Sequence, residues 1–107
     1  MIALKSVEQW QALLQQSRQL PVIIFKRSNV CSDSDRAEER LLGAESSLPQ
    51  PIYRLVVQQD RVLSDTIAET LGIEHQSPQM IIINQGQAVF DASHEAVEPE
   101  ALAPYLE

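Results

Sequence analysis

The chain contains a single cysteine, Cys31, so an intramolecular disulfide cannot form and a cysteine-rich zinc site is excluded. Basic side chains are scarce: eight Lys and Arg against fifteen Asp and Glu leave a net charge of -7. That balance repels a phosphate backbone, and nucleic acid is not an expected partner. Long apolar runs are lacking too. The longest, VIIF and MIII, are far too short to cross a bilayer, so no membrane partner is expected. The opening stretch MIALKSVEQW has neither the extended apolar segment nor the cleavage site of a secretory signal. With an unpaired thiol, this points to a reducing, cytoplasmic setting.

What is present suits one globular domain over residues 1–107, long enough for a single core. Ser6, with Gln9 three residues on, predicts a capping box before a helix whose face carries Val7, Trp10, Leu13 and Leu14. PVIIFKR reads as a buried strand, and a second helix is expected from Asp33 or Ser34 through Leu42, stopping near Gly43. IYRLVV is a strand, and LSDTIAETLG is a helix ended by Gly72. PQMIIIN and QAVFDAS pair as a hairpin around NQGQ. VEPEALAPYLE makes a last helix that Pro104 limits or kinks. A helix between the first two strands implies a parallel crossover, whereas the last two strands are antiparallel. The expected class is α/β with a four-stranded mixed sheet in the order α-β-α-β-α-β-β-α, which is the element order of the thioredoxin fold.

The chemistry concentrates in SNVCSDSD, residues 28–35, where the one thiol sits between a strand and a helix. A sulfur at the start of a helix lies near unpaired backbone N–H groups, which favour the thiolate. Asp33 and Asp35 oppose it. A carboxylate roughly 7 Å away at an effective dielectric of about 40 costs a thiolate about 1 kcal/mol, similar to what a helix end contributes. The expected net activation is therefore modest, unless Lys26 or Arg36 turns toward the sulfur. By default Lys26 and Arg27 are solvated charges. Ser34 is either a helix N-cap or a hydroxyl that supports the thiolate, and the two can coexist. His75 and His94 are candidate proton shuttles or hydrogen-bonded structural residues; nineteen residues apart, they make no metal motif.

The chain resembles the YtxJ-type monothiol bacilliredoxins, small thioredoxin-fold proteins of bacteria that make bacillithiol. The pieces that carry the resemblance are FKRSNVCSDS at the thiol, RVLSDTIAETLGIEHQSPQ in the middle and GQAVFDASHEAV near the end. Family members usually have Cys-Pro-Ile-Ser at the active turn. Here Cys31 and Ser34 match, while Ser32 and Asp33 replace the middle pair.

The resemblance implies a monothiol thiol-disulfide oxidoreductase with Cys31 and Ser34 as catalytic residues, supported by Lys26, Ser28, Asp33, Ser77, Pro78 and His94. Pro78 in QSPQ corresponds to the cis-proline that thioredoxin folds hold facing the cysteine, leaving the Ser77 backbone free for an extended client. No bound cofactor is expected. Bacillithiol, or another low-molecular-weight thiol, enters as co-substrate, and S-thiolated client proteins are the partners of a monomer. Three other readings remain open: a redox-inactive adaptor of the same fold, an iron–sulfur protein sharing a cluster through Cys31 and an external thiol, and a peroxide reductase. The last is suggested by SNVC, in which Ser28 precedes Cys31 as in a Ser/Thr-x-x-Cys turn.

Overall fold

The computed structural model of the chain describes residues 1–106. Its centre is two strands buried on both faces, β2 (Val22–Arg27) and β4 (Gln79–Asn84), which explains why both read as nearly unbroken apolar runs. They pair antiparallel, with Ile24 opposite Ile81 and Lys26 opposite Gln79. On the far side of β2, β3 (Ile52–Val56) runs parallel to it; on the far side of β4, β5 (Gln87–Ser93) completes an antiparallel hairpin. The turn between them places Gln85 and Gly86 at φ 55° and 75°, the pair of positive φ values that suits the twist of a two-residue hairpin.

Two helical layers cover the sheet. On one face α1 (Val7–Gln16) and α3 (Arg61–Leu71) bury Trp10, Leu13, Leu63 and Ile67 against Val22, Ile24, Ile81 and Ile83. On the other, α2 (Ser32–Ala44) buries Ala37 and Leu41 against Ile23, Phe25, Met80 and Ile82. Ser6 Oγ accepts from Gln9 N–H at 3.1 Å, as the capping signature predicts. Gln9 Oε1 returns one residue further out than expected, accepting from Lys5 N–H at 2.9 Å. Gly72, at φ 66°, ends α3 in the left-handed conformation that an L side chain resists. Among the described residues no helix is long and apolar enough to cross a membrane.

The α/β class stands, with differences in detail. The sheet has five strands in the order β1-β3-β2-β4-β5, because Ile2–Ala3 adds a short parallel edge strand, β1, to β3. Two residues carry no periodicity from which a strand could be inferred. The expected last helix, which begins at Val97, is instead two 3-10 turns, Pro99–Ala101 and Ala103–Tyr105, preceded by another at His94–Ala96; its final residue, Glu107, lies outside the described residues. Pro99 and Pro104 have no N–H to donate into an α-helical ladder, yet the segment still buries Val97, Leu102 and Leu106 on the α2 side. α2 runs through Gly43 rather than stopping at it, and Val7 in the first turn of α1 is 37% exposed.

Candidate active site

β2 ends at Arg27 and the chain reaches α2 through only four residues, so the thiol is carried where strand and helix meet. Cys31 is the N-cap of α2, with extended backbone (φ -119°, ψ 117°), and it is partly exposed. Its neighbour Val30 is 87% exposed, an apolar side chain standing in solvent beside the thiol.

Side chains hold the segment before the cysteine. Ser28 N–H donates to Ser34 Oγ at 3.0 Å, Asn29 N–H to Gln58 Oε1 at 3.0 Å, and Val30 N–H to Ser28 Oγ at 3.2 Å. Gln58 Nε2 in turn donates to Ser28 Oγ at 2.6 Å. Three successive backbone donors that no strand or helix satisfies thus find acceptors, as chain at a partly buried turn must. Ser34 is fully buried in the first turn of the helix and reaches back to the turn rather than capping the helix end. Gln58 was not singled out in the sequence. Substituting Gln58→Leu is expected to expose the Asn29 amide and speed its hydrogen exchange by about 10-fold, at a stability cost of about 1 kcal/mol.

The carboxylates near the thiol are paired. Asp33 binds Arg36 one turn on, and Asp35 accepts from Arg27 at 2.5 Å. The Arg27 side chain, only 11% exposed, also reaches Glu38 at 3.1 Å and donates to Ser28 O at 3.3 Å. Glu38 in turn binds Arg54 of β3 at 3.0 Å. Arg27 therefore ties α2 to the strand that precedes the thiol, and the expectation of a solvated charge does not hold for it. Its ion pairs with Asp35 and Glu38 raise its pKa in spite of burial.

Lys26 departs further from that expectation, because it is fully buried. Side chains alternate along β2, so Arg27 faces α2 while Lys26 points through the opposite face toward α3. There its Nζ donates to Ser64 O at 2.9 Å and lies 3.4 Å from His75 Nδ1, which is also 3.4 Å from Ser64 Oγ. Burial pushes Lys26 down to about 8, with Asp65 pulling the other way. His75 is lowered by burial and by the Lys26 and Arg61 charges, against Asp65.

Pro78 stands immediately before β4. Since Lys26 pairs with Gln79, it lies at the end of the sheet from which the Cys31 turn departs. The Ser77–Pro78 bond is cis. His94 N–H donates to Pro78 O at 3.0 Å, and His94 sits at φ 55° just past β5. The buried Gln79 braces the preceding loop, donating to Glu74 O at 3.0 Å and accepting from Gln76 N–H at 3.3 Å. Among the described residues Ser77 takes no part in a backbone hydrogen bond outside the regular elements. The sheet thus gathers Ser28, Cys31, Asp33, Ser34, Ser77, Pro78 and His94 at one end, while Lys26 and His75 occupy the α3 side. Among the described residues no three His, Cys, Asp or Glu side chains are grouped to hold a metal ion.

Comparison with known proteins gives this arrangement a context. The family model described as monothiol bacilliredoxin BrxC matches residues 2–102. A structure described as a putative oxidoreductase with a thioredoxin fold is 29% identical, with a TM-score of 0.86, over 96% of this chain and 90% of that one. Thioredoxin O2 from Arabidopsis thaliana, in its oxidised state, matches at 16% identity and a TM-score of 0.78, over 99% of this chain and 94% of that one. Fasciola hepatica thioredoxin matches at 12% identity and a TM-score of 0.77, over 97% and 94%. The last two share the fold alone.

Proposed function

The chain belongs to the monothiol bacilliredoxin family, and from that premise we propose that it removes bacillithiol, or a similar low-molecular-weight thiol, from mixed disulfides on client proteins. Family and fold together support a thiol oxidoreductase. The observation that carries the reading is Cys31 itself: the one thiol of the chain, partly exposed at the mouth of α2, with the serine of the Cys-x-x-Ser pair buried one turn later.

In the proposed reaction the Cys31 thiolate attacks the small-thiol sulfur of a client–S–S–R disulfide. The Cys31–S–R bond forms, the client S–S bond breaks, and the client departs as a thiolate that takes a proton from solvent. A second R–S⁻ then attacks the R sulfur, giving R–S–S–R and restoring the Cys31 thiolate. A serine at 34 cannot perform that second attack, so the resolving thiol comes from another molecule. Pairing of Asp33 and Asp35 with arginines reduces the negative field that would oppose the thiolate, which supports exchange over a blunted thiol. The free Ser77 backbone beside Pro78 suits an extended client segment. The protein works as a monomer in a reducing, cytoplasmic compartment, on S-thiolated proteins, with no resident cofactor.

Intact-mass spectrometry after mixing with a bacillithiol-capped protein tests this. The native chain is expected to gain one bacillithiol and the Cys31→Ser variant none. If Cys31 never acquires the cap, exchange is ruled out and the adaptor reading takes its place.

A further inference from the structure

Residues 74–77, which lead into Pro78, are fastened by side chains and not by backbone. Ile73 N–H donates to Ala68 O and His94 N–H to Pro78 O, but among the described residues nothing between Ile73 and Pro78 makes a backbone–backbone hydrogen bond. Gln79 Nε2 donates to Glu74 O at 3.0 Å, and its Oε1 accepts from Gln76 N–H at 3.3 Å. Between those two anchors lies His75, whose Nδ1 stands 3.4 Å from Lys26 Nζ and 3.4 Å from Ser64 Oγ. Lys26, Ser64 and Gln79 are all buried, so the segment is held from beneath.

Only one of these fastenings changes with a proton. The Lys26 ammonium can donate to Nδ1 only while that atom carries a lone pair, so the contact requires a neutral imidazole with its hydrogen on Nε2. A proton on Nδ1 removes the acceptor and sets a second positive charge beside a buried first one. The charged groups around His75 are Lys26 from β2, Arg61 and Asp65 from α3, and the exposed Glu74 on its own segment. Asp65 favours the imidazolium, whereas burial, Lys26 and Arg61 oppose it and prevail, so His75 titrates below its ordinary range.

We infer that His75 is a positioning residue for the client. Neutral, it latches residues 74–77 to Lys26 and Ser64 and so fixes the Ser77 backbone two residues on; protonated, it lets the segment go. The inference rests on the exchange reading above, in which the Ser77 backbone receives an extended client. It adds that client engagement weakens below neutral pH, independently of the ionisation of Cys31.

The test compares single-turnover reaction of Cys31 with two substrates that carry the same small thiol. One is a short uncharged peptide whose cysteine is capped with 2-mercaptoethanol; the other is bis(2-hydroxyethyl) disulfide, which has no backbone to pair with Ser77. Their rate ratio cancels the ionisation of Cys31, which both reactions share. In the native chain the ratio of peptide to small disulfide is expected to fall about 10-fold as the pH drops from about 7.5 to about 5. His75→Asn, whose Oδ1 accepts as Nδ1 does but does not titrate there, is expected to flatten that fall, and His75→Leu to hold the ratio low at every pH. Over the same range the protection of the Gln76 amide against hydrogen exchange should drop about 10-fold in the native chain while Ile81 in β4 stays protected, which shows the fold intact. A ratio that is flat in the native chain, or that falls equally in His75→Asn, overturns the latch while exchange at Cys31 stands. A native chain that reacts with neither substrate overturns the exchange reading, and this inference with it.

Discussion

Ser34→Cys is expected to release a small thiol from Cys31 without any second thiol in solution. Ser34 is fully buried in the first turn of α2, and its Oγ points back toward the turn that carries Cys31, where it accepts from Ser28 N–H. A sulfur in that place attacks Sγ of Cys31 in the mixed disulfide. The bond between the two protein sulfurs forms, the Cys31–S–R bond breaks, and the small thiol leaves as R–S⁻. Because the attack is intramolecular, the capped form is expected to disappear at least about 100-fold faster than in the native chain with free thiol removed. Intact mass distinguishes the products: the native chain keeps the cap, and the variant ends as the uncapped chain lighter by a pair of hydrogens. A thiol is a weaker acceptor than a hydroxyl, so the reduced variant loses about 1 kcal/mol of stability through Ser28 N–H. A variant that holds its cap as long as the native chain would show that position 34 does not address the sulfur.

Stability is expected to rise, not fall, as the native chain is taken from pH 8 to about 10.5. In the folded state Lys26 titrates at about 8 against an ordinary 10.5, because burial penalises its charge. Between those values the unfolded chain holds a proton that the folded chain has released, so raising the pH stabilises the fold, by about 2–3 kcal/mol across the window. Below pH 8 the full cost of the buried ammonium is present. Lys26→Met should remove the Lys26 part of the rise and, at pH 7, stabilise the chain by about 1–3 kcal/mol, since Ser64 O keeps its helical donor. Urea denaturation of both proteins at pH 7, 9 and 10.5 measures this, and other groups that titrate there are common to the two. The same substitution should raise the titration point of His75, which the Lys26 charge depresses. Because the folded pKa of His75 is lowered, its contribution to stability is present at neutral pH and lost as pH falls through the ordinary histidine range. That loss should be smaller in the Lys26→Met variant. Identical pH curves for the two proteins would remove Lys26 as the cause.

These effects mark how far the sequence could be read. VIIF and MIII identify central strands because only strands covered on both faces have no need of alternation. NQGQ identifies the hairpin because its turn needs positive φ at two positions, which glycine supplies at one of them. Cys31 at the start of α2 follows from the same local logic, since an apolar strand stops and a helical pattern begins around it.

The fate of the charges was not legible. Asp35 reads in the sequence as a carboxylate that opposes the thiolate, yet Arg27 crosses from β2 to meet it, and Glu38 joins Arg27 to Arg54 of β3. Those contacts link residues 8 to 16 positions apart, and nothing in their spacing announces them. Gln58 is similar, being 30 residues from the Ser28 hydroxyl it supports. The last helix was misjudged for a different reason: its burial pattern is real, but two prolines leave 3-10 turns as the way to present it.

By itself, then, the chain determined the run of strands and helices, the turn chemistry and the position of its one sulfur, because backbone preference and burial act over a few neighbouring residues. Which cation neutralises Asp35, and which face receives the ammonium of Lys26, were decided only when β2 was enclosed between β3 and β4. Electrostatic partners are chosen by distance in space, and that distance exists only once the sheet has closed.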